Sequence, residues 1–353
     1  MGRIISLNRR EIASKRFKFL FYEVVPIFLI IFVFQILEWT VLPLIANRSS
    51  ALFGVLFNFI RAILIFCIII LFLFVYSKIK SEESKNLKEG LTLHIGYLKL
   101  YNITKKNYLY QLLYSVLLFF LILIPLEFLT IISLPQTVSY RAISLVFETE
   151  NSFLLLDNIV LFMFSLSIIQ FSISFSEETI FRGLISKRGS EHFNKLSAVM
   201  ISTFYFAFYE VLLNPVFFSV NYYFGVIWFI KSFLIGLMLS LTIIRRKWLF
   251  PLIIAKTFDS IISNVIIWDY LKGGNFTQLL VFIYIPLLII SLVLCLLQRS
   301  RIKESLKIGT KMMKSYYKND VNLKESSGDK VFRLIFDFFL AILLFLFGFF
   351  ISV

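Results

Sequence analysis

Histidine is almost missing from this chain, with two residues in 353. That scarcity works against a zinc enzyme, because zinc sites are built from imidazole, thiolate and carboxylate ligands. It also leaves any serine without its usual base. Cysteine is equally rare. Cys67 and Cys295 both lie inside apolar runs, where a thiol behaves as a small hydrophobe, and no CxxC pattern or disulfide framework exists. Glycine and proline are scarce in the middle of most apolar runs, which speaks against the broken helices of a secondary transporter.

What is present in excess is apolar surface. Hydrophobic residues make up 59% of the chain and charged residues only 16%, a balance that fits no ordinary soluble class. A helix crossing about 30 Å of hydrocarbon needs roughly 20 apolar residues. The sequence offers such runs near 20–46, 52–77, 108–134, 153–176, 196–214, 222–244, 248–268, 277–297 and 331–353. The expected fold is therefore an all-α, polytopic transmembrane bundle of about eight or nine spans. The last is the least apolar, because Arg333 and Asp337 interrupt it. The first carries a basic flank like that of a signal peptide, but it is too long for one and contains Glu23 and Glu38.

The net charge of +15 would suggest a nucleic-acid partner in a soluble protein. Here the cations sit between the apolar runs, without aromatic interleaving, so no nucleic acid is expected. Lys and Arg crowd residues 1–18, 78–107, the stretch around Lys187 and Arg188, residues 245–247 and residues 298–330, whereas the alternate loops hold few. This bias places the N-terminus in the cytoplasm. It divides the chain into a basic N-terminus (1–18), N-terminal spans (19–152) with a cytoplasmic loop at 78–107, a core (153–297), a basic linker (298–330) and a final span (331–353). The linker reads either as a basic amphipathic helix lying on anionic lipid or as a solvated tether. The expected setting is a bacterial cytoplasmic membrane, crossed many times, with membrane lipids as immediate partners.

The stretch most in need of a chemical reason is Phe175-Ser-Glu-Glu-Thr-Ile-Phe-Arg-Gly183, at the end of the fourth run. Charges at the edge of the hydrocarbon layer are costly unless paired or facing a polar cavity, which makes them candidates for function. On a helix Glu178 and Arg182 are four apart, in the favourable order, whereas Glu177 points about 100° away. One glutamate can thus be a structural ligand while its neighbour stays available as a general base. A helix-end salt bridge beside an interfacial acid is the structural alternative.

EETIFRG resembles the EExxxR motif of the CPBP family of intramembrane proteases, also called the CAAX-protease or Abi family. The resemblance spans about 153–297. It implies a helical membrane endopeptidase in which the first glutamate and a histidine from an FxxxH motif activate water, while an HxxxN or HxxxD pair supports the oxyanion. The histidines are alternatively read as metal ligands. In this chain both histidines are replaced. Phe206 keeps the motif phenylalanine, but Glu210 stands at the histidine position. In the third motif either Ala255 pairs with Asp259 or Lys256 pairs with Ser260. His94 and His192 fall in predicted loops and are expected to be surface residues.

The candidate catalytic residues are therefore Glu177, Glu178, Arg182, Glu210, Lys256 and Asp259. No cofactor is expected, and the family-type metal site is not expected without histidine. In the sharper reading Glu177 and Glu210 share one proton, hold the attacking water and use Lys256 against the developing oxyanion. The expected partner is then a peptide or membrane-protein substrate. The alternative is a catalytically inactive relative acting as a membrane regulator, immunity factor or binding scaffold, with a transporter third. Lys256 and Asp259 could also simply neutralise each other. The serines from 165 to 176 are expected to pack or to bond back to carbonyls, and Glu38, Arg61, Glu127 and Lys231 have no assignment.

Overall fold

The computed structural model describes residues 9–83, 93–146, 149–212, 222–275, 278, 280–317 and 326–349, and every regular element among them is helical. The helices used below are α1 (Arg9–Leu44), α2 (Ala51–Ile79), α3 (Leu93–Leu98), α4 (Tyr108–Ser133), α5 (Thr137–Val146), α6 (Ile159–His192), α7 (Lys195–Leu212), α8 (Tyr222–Arg246), α9 (Phe250–Leu271), α10 (Leu280–Leu297), α11 (Arg299–Tyr317) and α12 (Ser327–Phe349). Nine of these are long and apolar enough to cross a membrane: α1, α2, α4, α6 to α10 and α12. The protein is a multi-pass integral membrane protein built as an all-α bundle.

Two spans differ from their sequence-based limits for identifiable reasons. The fourth starts at Ile159 rather than 153, because the Asn158 side chain accepts from the Val160 and Leu161 amides at 2.9 and 3.2 Å and caps the helix. It also runs on through the acidic motif to His192. The first begins at Arg9, so the part of the basic N-terminus within the described residues is helical. Arg16 is buried there because its partner, Asp337 at 2.6 Å, lies on α12. The charges that made the last run look doubtful are thus turned inward: Arg333 donates to the Tyr316 carbonyl at 2.6 Å, and Tyr316 donates to Asp337 at 2.7 Å.

Among the described residues four helical segments are wound as π-helix. Leu20–Val24, Phe119–Leu123 and Leu280–Tyr284 each lead straight into a helix whose second residue is proline, namely Pro26, Pro125 and Pro286. A proline ring collides with the carbonyl of the preceding turn and cannot donate to it, and a widened turn relieves both problems. The fourth segment, Thr179–Arg188 in α6, is twice as long and contains no proline. It begins directly after Glu178 and is buried along nearly its whole length.

The second half of α6 and all of α7 form the centre of the bundle. α7 packs on α8, on α12 and on the π-helical part of α6, while α9 packs on the first half of α6 and on α4 and α5. Residues 84–92 of the loop at 78–107 lie outside the described residues. After them, α3 and its continuation to Tyr101 fold back onto α6.

Candidate active site

Three helices meet at the acidic motif: α6 brings Glu177, Glu178 and Arg182, α7 brings Phe206 and Glu210, and α9 brings Lys256. Glu178 and Arg182 are sealed from solvent, both side chains at 0% exposure, with Nε to Oε2 at 3.3 Å. The guanidinium also lies over the Phe206 ring, 4.2 Å from its centroid. On the other side of this pair Glu177 turns outward and pairs with the Lys256 ammonium. Lys256 Nζ stands 3.7 Å from Glu210 Oε1 and 4.4 Å from the Phe206 centroid. The Phe206 ring is therefore in contact with both cations, one from a closed ion pair and one from a trio that keeps some contact with the surroundings.

The geometry separates the two registers of the third motif. Ala255 is fully buried among Leu252 and Ile253, whereas Lys256 projects to the carboxylates, so Lys256 and Ser260 lie on the site's face. Asp259 does not join Glu177. It lies in the electrostatic neighbourhood of Glu127, Lys231 and Arg141 as well as Lys256, and no direct ion pair joins it to Lys256. The Lys256 ammonium contacts both Glu177 and Glu210, which adds a cation to the acid pair expected from the sequence. Asn264, further along α9, donates back to the Ser260 carbonyl at 2.8 Å. Ser172 and Ser176 likewise donate to carbonyls one turn earlier, at 2.8 and 2.9 Å.

Two features had no reading in the sequence. The first is a clamp on α6: Tyr97 donates to the Thr179 carbonyl at 2.9 Å and Tyr101 to the Thr179 hydroxyl at 2.7 Å. Burial pushes both phenols well above their ordinary range, so they remain donors. Gly183 makes room for this clamp, since a Cβ there would meet the Tyr97 hydroxyl at 2.6 Å. The second is a charged cluster in which Lys231 pairs with Glu127, and Arg141 approaches Glu127 at 3.7 Å and bonds to Ser263. Opposite charges at similar depth on two spans were its only trace in the sequence.

His192 departs from the surface role expected of it. Its Nε2 lies 2.9 Å from Glu23 Oε1, and Arg188 grips the same carboxylate through two nitrogens at 2.8 and 2.9 Å. α1 is thereby tied to the far end of the π-helical segment. His94 is half-buried, edge-on to Phe74.

Residues 157–262 match the family model described as Type II CAAX prenyl endopeptidase Rce1-like. The match bears out the resemblance read from EETIFRG. It covers α6, α7, α8 and the first part of α9, hence every candidate residue, but it ends well short of the 297 expected from the motifs. No curated protein and no solved structure matches the chain. The donor set does not fit a metal ion of the kind read for the family's histidines. The corresponding positions hold a carboxylate and an ammonium, and a lysine among carboxylates occupies the electrostatic role that a cation would have. Among the described residues no three His, Cys, Asp or Glu side chains gather as ligands.

Proposed function

We propose that this CAAX protease-like membrane protein is an endopeptidase in which Glu177 activates water and Lys256 supports the oxyanion. The observation that carries the reading is the reach of one ammonium on α9 to carboxylates on two other helices, Glu177 and Glu210. In the resting site the ammonium pairs with Glu177 and lies near Glu210, so water-activating and oxyanion-stabilising groups are held side by side. A peptide carbonyl entering beside Lys256 draws the ammonium toward its oxygen, which frees Glu177 to take a proton from water held against Glu210. Attack forms the tetrahedral intermediate, and the proton on Glu177 then passes to the leaving amine. The sealed Glu178–Arg182 pair touches no reacting atom in this scheme; it fixes the turn that aims Glu177. The name of the matched family makes a prenylated peptide the first substrate to try.

A second reading is favoured by the same contact. Glu177 already bound to an ammonium is a weaker base, and the site would then hold a peptide or membrane-protein partner without cutting it. Full-length protein in liposomes, incubated with a fluorogenic prenylated peptide and with a mixed peptide library, separates the two. The hydrolytic reading expects cleavage that falls about a hundredfold or more in Glu177→Gln, with a smaller loss in Glu210→Gln. Cleavage unchanged in Glu177→Gln would sink it. Saturable peptide binding with no product, equal in wild type and Glu177→Gln, would establish the scaffold.

A further inference from the structure

We infer that α11 is a docking surface for anionic phospholipid headgroups, and that it fastens the edge of the bundle to an acidic leaflet. α11 follows α10 with only Gln298 between them. α10 is peripheral, with Leu296 and Leu297 73% and 72% exposed at its end, so α11 starts where a lipid-facing span leaves the hydrocarbon. At its other end Tyr316 is buried on Asp337, and Met312 and Met313 pack beside Leu196 and Met200 of α7. Nineteen helical residues span about 28 Å. The helix therefore runs from the lipid edge inward over the end of the bundle.

Its two faces differ in the way an interfacial helix requires. Ile302, Leu306, Gly309, Met313 and Tyr316 follow the three-and-four spacing of one stripe. The C-terminal part of that stripe is covered by protein, whereas Leu306, nearer the lipid edge, is 52% exposed. Lys303, Lys307, Lys311 and Lys314 form a second row, all exposed and none in an ion pair among the described residues. Like charges at this spacing destabilise a helix, and Glu304 pairs with none of them. An anionic surface removes that repulsion. Arg245, at the end of α8, bonds to Ser305 at 3.4 Å on the opposite flank of the helix, and residues 245–247 are exposed there. A solvated tether does not account for the half-covered apolar stripe.

The test uses the full chain in nanodiscs of phosphatidylcholine alone or with about one third phosphatidylglycerol, read by hydrogen exchange over α11 and, as a folding control, over α9. Protection of α11 in wild type is expected to rise at least about tenfold with the acidic lipid and to fall again at high salt. The rise should vanish in the Lys303→Gln, Lys307→Gln, Lys311→Gln, Lys314→Gln variant while α9 stays unchanged. Leu306→Ser, which keeps every charge, should weaken protection in both lipids and preserve the preference between them. Equal α11 protection in the two nanodiscs would overturn the inference, as would a preference retained in the lysine variant. Protection gained from a soluble acidic polypeptide but not from phosphatidylglycerol would also overturn it and assign the surface to a protein partner.

Discussion

Glu177 and Glu178 are chemically identical and adjacent, yet the helix sends them into opposite surroundings. Glu178 is shut in with Arg182 at no exposure, while Glu177 keeps 12% and shares Lys256 with Glu210. The difference follows from the 100° step between neighbours, and the Phe206 ring is in contact with both cations. A buried charge that loses its only partner cannot recover solvation, whereas one with a second partner and some access to water can. The closed pair is therefore expected to govern stability and the open trio to govern chemistry.

The largest effect should come from the closed side. Arg182→Met leaves the buried Glu178 carboxyl without its ion-pair partner, and a loss of about 3–5 kcal/mol is expected, read as a fall in denaturation midpoint in detergent. Lys256→Met leaves Glu177 and Glu210 in a partly accessible site and should cost clearly less. Equal losses would erase the distinction between the two sides. Next comes Gly183→Ala, whose added methyl meets the Tyr97 hydroxyl at 2.6 Å. Overpacking of this kind costs about 1–3 kcal/mol. Removing the hydroxyl in the double variant Gly183→Ala, Tyr97→Phe should recover part of the loss, a coupling that a double-mutant cycle measures.

The all-α bundle was legible because nine apolar runs of membrane length dominate the chain, and their order carried the location of the acidic motif. The split between Glu177 and Glu178 was also readable, since helical geometry alone separates adjacent residues. Less accessible was everything that depends on contact between distant spans. Glu127 and Lys231 stood as unexplained charges because periodicity within one helix says nothing about which other helix it meets. Arg16 and Asp337 are 321 residues apart; one was counted with the basic N-terminus and the other as an interruption of the last span, and neither segment by itself shows the pairing. The Tyr97 and Tyr101 clamp escaped for a different reason: a short helix in a basic loop carries no signal that it returns to a motif. The π-helical segment after Glu178 was invisible too, since no proline marks it as proline marks the other three.

The clamp itself offers two smaller tests of the closed side. Tyr101→Phe removes one hydrogen bond to the Thr179 hydroxyl while keeping the ring against Phe175, and should cost about 1 kcal/mol. Because Thr179 directly follows Glu178, exchange of the α6 amides should rise there while α12 remains protected. Unchanged exchange over α6 would mean that the tyrosines rest on the motif without holding it.

A pH-dependent effect of the clamp is an alkaline one, with a definite sign. Burial raises both Tyr97 and Tyr101 above the ordinary value of 10. The unfolded chain therefore releases these protons near that value, while the folded chain retains them. Their contribution is fully present below pH 10 and declines above it, because deprotonation then favours the unfolded state. Each phenol adds at most about 1.4 kcal/mol per pH unit to the slope. Stability measured from pH 9 to 12 should fall less steeply in Tyr97→Phe than in wild type, and a charge change in the open trio, such as Glu210→Gln, should leave that slope alone. A slope altered by Glu210→Gln and untouched by Tyr97→Phe would place the alkaline weakness in the open trio, and the distinction between the closed pair and the open trio would then fail.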